Sequence, residues 1–369
     1  MNDTGKAVNP VIRPPGTGSR ARKPSVPAAP DRRVPYHGKL ARALASLNRV
    51  LAGHLACAAN RKKVVGHATR ADRRSVLSQC LRDLHAAGYH IEDVRHLATR
   101  HLQVLAGLWE TRGYSASTLQ KRFSILNTFC GWIGKPDLVG DPRHWLADPG
   151  RFARHYVARY DHSWVGQGVD PEAVFQRVAA RDPVVALQLR LQAAFGLRAQ
   201  EAMLLRPHQA DRGAVLEVNW GTKGGRPRQV PIRTEAQRQL LAAARTLAPQ
   251  PHSALIPEAY RLRSWIQHYY YVLRSCGIHR RAGLVGHGLR HGYANDRYEE
   301  LAGQPSPVRG GGANLDRTID RAARLQVSGE LGHARERITT AYSGTAGRRG
   351  SARTDRVRPS DATTGAEPD

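Results

Sequence analysis

One change of period constrains this chain more than any other feature. From Leu40 to Ile133 the apolar residues return every three or four positions, the pattern of helices that each bury one face. Leu40, Leu44, Leu47, Leu51 and Leu55 make a first stripe. A second runs from about Arg70 to Ala87 and stops at Gly88, and a third spans roughly Ile91–Thr111. A fourth starts at Ser115 or Ser117, a side chain able to cap a helix, and carries Leu119, Phe123, Leu126, Phe129 and Ile133. Only between Ala214 and Ile232 does the pattern shorten: AVLEVNW and RQVPI flank the turn GTKGGRP, as in a hairpin. Helical spacing returns at about 234–247, 261–276, 289–300 and 322–331, and Asp182-Pro183 opens another helix that ends at Gly196, followed by a short one at 199–205. The fold class that follows is mainly α with one small β-hairpin.

The punctuation between these stripes gives the domains. Residues 1–38 carry Pro, Gly, Lys and Arg without apolar periodicity, so we expect a flexible basic arm. A helical domain covers 39–136. The Pro- and Gly-rich stretch 137–169 reads as a linker, 170–346 as a second domain, and 347–369 as a disordered tail. At 369 residues, with 41% hydrophobic residues, the chain is long enough for two cores.

Charge limits the partners. Lys and Arg number 57 against 30 Asp and Glu, a formal net charge of +27, which points to a polyanion such as nucleic acid. A generally arginine-rich proteome would give the same excess, and charge by itself indicates binding and no chemistry. No apolar run approaches the ~20 residues of a membrane span, and residues 1–35 lack the apolar segment of a secretory signal. Cys57, Cys80, Cys130 and Cys276 stand far apart without a CxxC pair, which argues against a disulfide framework or a zinc site and for a reduced, cytoplasmic protein.

Four motifs then occur in order: GLRAQEAMLL (196–205), GTKGGRPRQVPI (221–232), HGLRHGYA (287–294) and LGHARERITTAY (331–342). Each is weak alone. Together they resemble the tyrosine recombinase (phage integrase) family, and residues 40–135 look like that family's helical core-binding (SAM-like) domain, preceding a mixed α+β catalytic domain. The resemblance implies a phosphodiester transesterification in double-stranded DNA through a 3′-phosphotyrosine, without cofactor or metal. Arg198 and Arg290 would clamp the scissile phosphate, since a guanidinium gives paired hydrogen bonds to phosphate oxygens and stays charged. Lys223, in the hairpin turn, would protonate the leaving 5′ oxygen, and His287 would assist proton transfer. His333 would donate to a non-bridging oxygen and Tyr342, nine residues on, would be the nucleophile. Glu201 lies three residues from Arg198 and could hold it. Arg226 and Arg228 read as contacts to the DNA backbone. A zinc pair of His287 and His291 lacks the glutamate of HExxH, because position 288 is Gly, and His291 reads as structural.

Two features depart from the family. Arg290 and His333 are 43 positions apart, a longer interval than usual, and the excess falls at about 299–320. No apolar stripe follows Tyr342 to dock on a neighbouring subunit, so we expect the 299–320 insertion to supply subunit contacts instead. The resemblance also implies a homotetramer on DNA, accessory DNA-bending or directionality proteins, a nucleoid location and a mobile-element origin in bacteria or phage. The rivals are a catalytically silent DNA-binding protein of the same fold and a type IB topoisomerase-like enzyme.

Overall fold

The computed structural model describes residues 38–56, 64–312, 314–333 and 336–345. The expected arm and tail, apart from Gly38, lie outside the described residues, as does Cys57. The described chain forms two compact units that divide between Ala153 and Arg154.

The first unit is built from α1 (Lys39–His54), α2 (His67–Ala86), α3 (Thr99–Thr111) and α4 (Ala116–Trp132). Their stripes meet in one apolar core that includes Leu47, Leu51, Leu84, Leu102, Trp109 and Phe123. Trp109 meets Phe123 edge-on, with ring centroids 5.1 Å apart. The third helix starts at Thr99 rather than near Ile91. Asp93 accepts from the Arg95 amide and from Ser46 Oγ (2.9 Å each) and closes a single 3₁₀ turn at Val94–His96. A short acidic side chain that binds the backbone locally displaces the helix start in this way.

The stretch expected as a linker, 137–169, is divided between the units. Val139 and Leu146 are buried in the first core, and the Trp145 indole donates to Val139 O at 2.6 Å. Asp141 and Asp148 cap short turns that begin at Pro142 and Pro149. Both Ala147 and Asp148 amides donate to the Glu110 carboxylate. The Pro and Gly residues mark capped turns laid on the first unit, which a reading by composition takes for a free linker.

The second unit opens with the same kind of signal. Asp170 accepts from the Glu172 and Ala173 amides and Pro171 takes the first position of α5 (Pro171–Ala179), a helix that the sequence reading passed over. Asp182 caps α6 (Pro183–Phe195) in like manner. After α6 come α7 (Ala199–Met203) and α8 (Pro207–Ala210). The antiparallel pair β1 (Val215–Val218) and β2 (Arg228–Pro231) follows, with Val215 opposite Pro231 and Val218 opposite Arg228. Then come α9 (Glu235–Leu247), α10 (Leu262–Ser275), α11 (His287–Ala302), α12 (Arg317–Glu330) and α13 (Thr340–Ser343). α11 packs against both α6 and α12. Trp164 is buried beside Phe175 and Leu289, and its indole donates to Val285 O at 2.9 Å. The expected insertion at 299–320 is narrower than its sequence suggests, because α11 runs on to Ala302 and Asp316 caps α12 at Arg317. No described helix is long and apolar enough to cross a membrane.

Candidate active site

Several elements bring the predicted side chains together, and a glycine sets the first. Gly196 ends α6 at φ +59°, and a Cβ there would stand 2.6 Å from the Tyr293 ring and 2.9 Å from Leu331. Only glycine fits both the left-handed backbone and the gap. The chain can therefore turn tightly into α7 and place Arg198 at its start. There Glu201, fully buried, accepts from the Arg198 amide (2.7 Å) and from Arg198 Nη1 (2.6 Å).

The same carboxylate receives a second, two-pronged guanidinium. Arg228 donates to Glu201 through Nη1 (2.8 Å) and Nη2 (2.7 Å), and through Nε to Glu330 O (2.7 Å). Arg228, expected on the DNA backbone, is 7% exposed and fully engaged inside the protein. The alternation of β2 explains this, since Arg228 and Val230 face inward while Gln229 is exposed. Desolvation would raise the Glu201 carboxyl, but the Arg228 and Arg198 charges and hydrogen bonds outweigh it and hold the group at about 2.

Arg290, on the first turns of α11, is 1% exposed. Its Nη1 donates to Gly196 O and its Nη2 to Leu331 O, while Nε lies 3.3 Å from Tyr342 Oη. Arg198 Nη2 reaches the same Leu331 carbonyl at 3.5 Å. The carbonyls of the turn after α12 thus orient three arginines. His333, just past that turn, has Nε2 at 3.3 Å from Tyr342 Oη and 3.4 Å from Arg290 Nη2. Tyr342, on α13, is 6% exposed.

The imidazoles around this hydroxyl are held neutral. Desolvation first, then the charges of Arg290, Arg198, Arg228 and Lys223, push His333 down to about 4. Desolvation, then Arg290 and Arg198, push His287 to about 4. His287 keeps an open surface, so the two arginine charges are its firmer cause. His287 lies 6.0 Å from the Tyr342 ring, centroid to centroid. His291 lies closer, at 4.7 Å and tilted by 48°, and meets both His287 and His162 edge-on. Burial drives His291 to about 3, and its Nδ1 is buried without a hydrogen bond.

Lys223 and Arg226 stay outside this cluster. Both are exposed on the turn between β1 and β2, and Lys223 reaches the site through its charge on His333. Gly221, at φ +71°, lets that turn pass 2.6 Å from Gln200 O, measured from where a Cβ would stand. Sequence reasoning missed Glu330 and Leu331 O as supports of the arginines. Backbone acceptors leave no side-chain signal, and Glu330 finds its partners Tyr293 and Arg297 only through the packing of α12 on α11.

Buried arginines thus close on a tyrosine hydroxyl, and comparison with known proteins gives the family of the chain. The phage integrase N-terminal domain model matches residues 39–139 and the integrase model matches 168–296, together more than half of the chain. The chain belongs to the tyrosine recombinase (phage integrase) family. Among solved structures, a lambda integrase dimer bound to a COC′ core site is similar at 15% identity and TM-score 0.53, covering 88% of this chain and 85% of that one. A lambda integrase tetramer bound to a Holliday junction gives 13%, 0.52, 85% and 79%. The Tn1549 transposon integrase with transposon right end DNA gives 13%, 0.52, 83% and 95%. At such identities these likenesses show the fold alone. No curated protein matches the sequence.

Proposed function

We propose that this chain is a site-specific DNA recombinase of integrase type, which cuts and rejoins strands through a covalent 3′-phosphotyrosine at Tyr342. The observation that carries the reading is the Tyr342 hydroxyl, 3.3 Å from both Arg290 Nε and His333 Nε2. In the attack, Tyr342 Oη bonds to phosphorus and the bond from phosphorus to the 5′ oxygen breaks. Arg198 and Arg290 neutralise the charge that grows on the non-bridging oxygens. They are already oriented by Glu201 and the Leu331 carbonyl, so little reorganisation is needed at the moment of reaction. Lys223, on its exposed turn, supplies the proton to the leaving 5′ oxygen. Rejoining reverses these steps, and the phosphotyrosine conserves the phosphodiester's energy.

For His333 we infer a role different from the one the resemblance implies. Its Nε2 faces two donors, Arg290 Nη2 and the Tyr342 hydroxyl, which both require an acceptor. The fitting tautomer carries its proton on Nδ1, and burial keeps the ring neutral. In this reading His333 accepts the phenolic proton rather than donating to a phosphate oxygen.

The partner in this reading is duplex DNA. The net charge of +27 supports it through counterion release, and the dimeric and tetrameric DNA complexes of the structural neighbours suggest that copies assemble on the duplex. The test uses a randomised pool of nicked duplexes, in which cleavage near the nick sheds a short strand and traps the adduct. Wild-type protein should yield denaturation-resistant protein–DNA adducts, and Tyr342→Phe should bind the recovered duplexes and yield none. Adducts formed by the Phe variant would move the nucleophile elsewhere. Binding without any adduct would leave the silent DNA-binding protein, and relaxation of supercoils lacking the recovered site would favour the topoisomerase-like enzyme.

A further inference from the structure

The segment expected to reach a neighbouring subunit packs against the helix that carries Tyr342. Residues 303–312 form a closed turn: Ser306 O accepts from the Arg309 amide (2.8 Å) and the Gly311 amide (3.1 Å), and Gly310 N donates to Pro307 O (3.2 Å). Ser306 is fully buried, and a Cβ at Gly311 would overlap the Pro305 carbonyl. The turn is tightly folded and packs on α13.

Its contact with α13 is direct. A Cβ on Gly344, the residue after α13, would meet Val308 Cγ1 at 2.9 Å and Ala158 O at 3.0 Å. From the other sides, the Ala158 amide donates to Thr340 O (2.9 Å), and Arg324 Nη1 donates to Ser343 Oγ (3.1 Å) and Gly344 O (2.9 Å). The four residues of α13 are too few to hold themselves as an isolated helix. Their position is set by what touches them.

One side chain fixes the turn to the body of the unit. Arg309 donates through Nε to Asp161 (2.9 Å) and through Nη1 to Asp296 (2.6 Å), with Glu299 at 3.7 Å. Asp161 is itself held by the Ser163 amide (2.8 Å) and by Asn295 Nδ2 (3.1 Å). Arg309 therefore joins α11, which carries Arg290, to the segment that pairs with Thr340.

We propose that Arg309 is a positioning residue for the nucleophile: through Val308 and Asp161 it straps α13 so that Tyr342 Oη stays on Arg290 and His333 of the same chain. The inference rests on the recombinase reading for its kinetic consequence, but its structural consequence stands without it. Freed of the strap, α13 loses one wall while Arg198 and Arg290 keep their contacts to Glu201, Gly196 O and Leu331 O.

The experiment compares full-length wild type with Arg309→Ala, Arg309→Lys and Gly311→Ala. Amide hydrogen exchange comes first, because it needs no DNA. Arg309→Ala should speed exchange at 339–345 by roughly ten-fold or more while α12 and the helices of the first unit exchange as before. Arg309→Lys should recover part of the protection, and Gly311→Ala, which distorts the turn with Arg309 intact, should mimic the loss. Cleavage of duplexes recovered by the wild type comes second. At saturating DNA, the adduct-forming rate of Arg309→Ala should fall roughly 10- to 100-fold, the scale of a nucleophile misplaced by about 1 Å. DNA affinity should stay within about two-fold, since phosphate contacts elsewhere carry it. Unchanged exchange at 339–345 would overturn the strap whatever the kinetics. Loosened exchange with an unchanged cleavage rate would overturn the positioning role. Loosened exchange in a wild type that never forms an adduct would support the strap and count against the recombinase reading alone.

Discussion

The two units bury their largest side chains alike and treat charge in opposite ways. In the first unit Trp109, Phe123 and Leu47 meet in a core whose buried charged residues are only Arg73 and Asp83 among those described. In the second, Glu201, Arg228, Arg290, Arg297, Arg324 and Glu330 are all buried, most of them within reach of Tyr342 or the turn after α12. Removing ions from water costs several kcal/mol each, on the order that a paired geometry only partly offsets. A unit meant only to fold would not collect them. On the recombinase reading proposed above, the charge-rich interior of the second unit holds its arginines still for a phosphate.

That contrast can be broken at its strongest point. Glu201→Ala should destabilise the second unit by about 3–5 kcal/mol, because Arg228 is left buried without its carboxylate. Thermal or denaturant unfolding followed by a probe in each unit would show the loss in the second alone. Equal losses in both units would mean that the charge network is not local. Arg290→Ala comes next. It should lower the cleavage rate by about 3–4 kcal/mol of transition-state stabilisation, with DNA affinity changing far less, as single-turnover adduct formation beside a binding titration would reveal.

Acid gives a graded test of the same difference. Burial, joined at His287 by the charges of Arg290 and Arg198, lowers His287 and His333 to about 4 and His291 to about 3, from the ordinary 6.5. Between those values and 6.5 the unfolded chain binds more protons than the folded one, so stability rises with pH in that window. Lowering the pH from about 6.5 to about 4 should therefore weaken the second unit, and His291→Phe should flatten part of that slope. In the first unit burial lowers His101, so that unit's stability too should rise with pH toward 6.5. The smallest effect belongs to an exposed pair. Arg42 and Glu92 join at 2.6 Å with both side chains largely in solvent, and Arg42→Ala should leave the unfolding midpoint of the first unit within measurement error.

Much of the architecture was written in local patterns. The four stripes of the first unit, the Asp182-Pro183 start and the hairpin at 214–232 each depend on neighbours along the chain, and the helices and strands stand close to where those patterns put them. The same Asp-Pro signal at 170–171, just beyond the Gly- and Pro-rich stretch 137–169, opens α5, which the sequence reading passed over. Composition was misleading there, since Val139, Leu146 and Trp164 anchor that stretch to two separate cores. The site was legible as a set of residue types in order. Arg228 shows the limit, because a basic residue beside a hairpin turn looks like a surface contact until the pleat of β2 turns it toward Glu201.

By itself, then, the sequence determined the helical stripes, the hairpin at 214–232 and the roster of arginines, histidines and tyrosine, all of which follow from spacing within a few residues. Only the tertiary structure decided which of those side chains meet. Leu331 O receives Arg290 and Arg198 across 41 and 133 positions, Arg309 reaches Asp161 across 148, and Tyr342 finds Arg290 across 52. The physical reason is that backbone carbonyls and buried carboxylates choose partners by where packing brings the chain. A desolvated guanidinium must be satisfied by whatever acceptor lies within 3 Å or so, and no pattern local to the sequence names that acceptor.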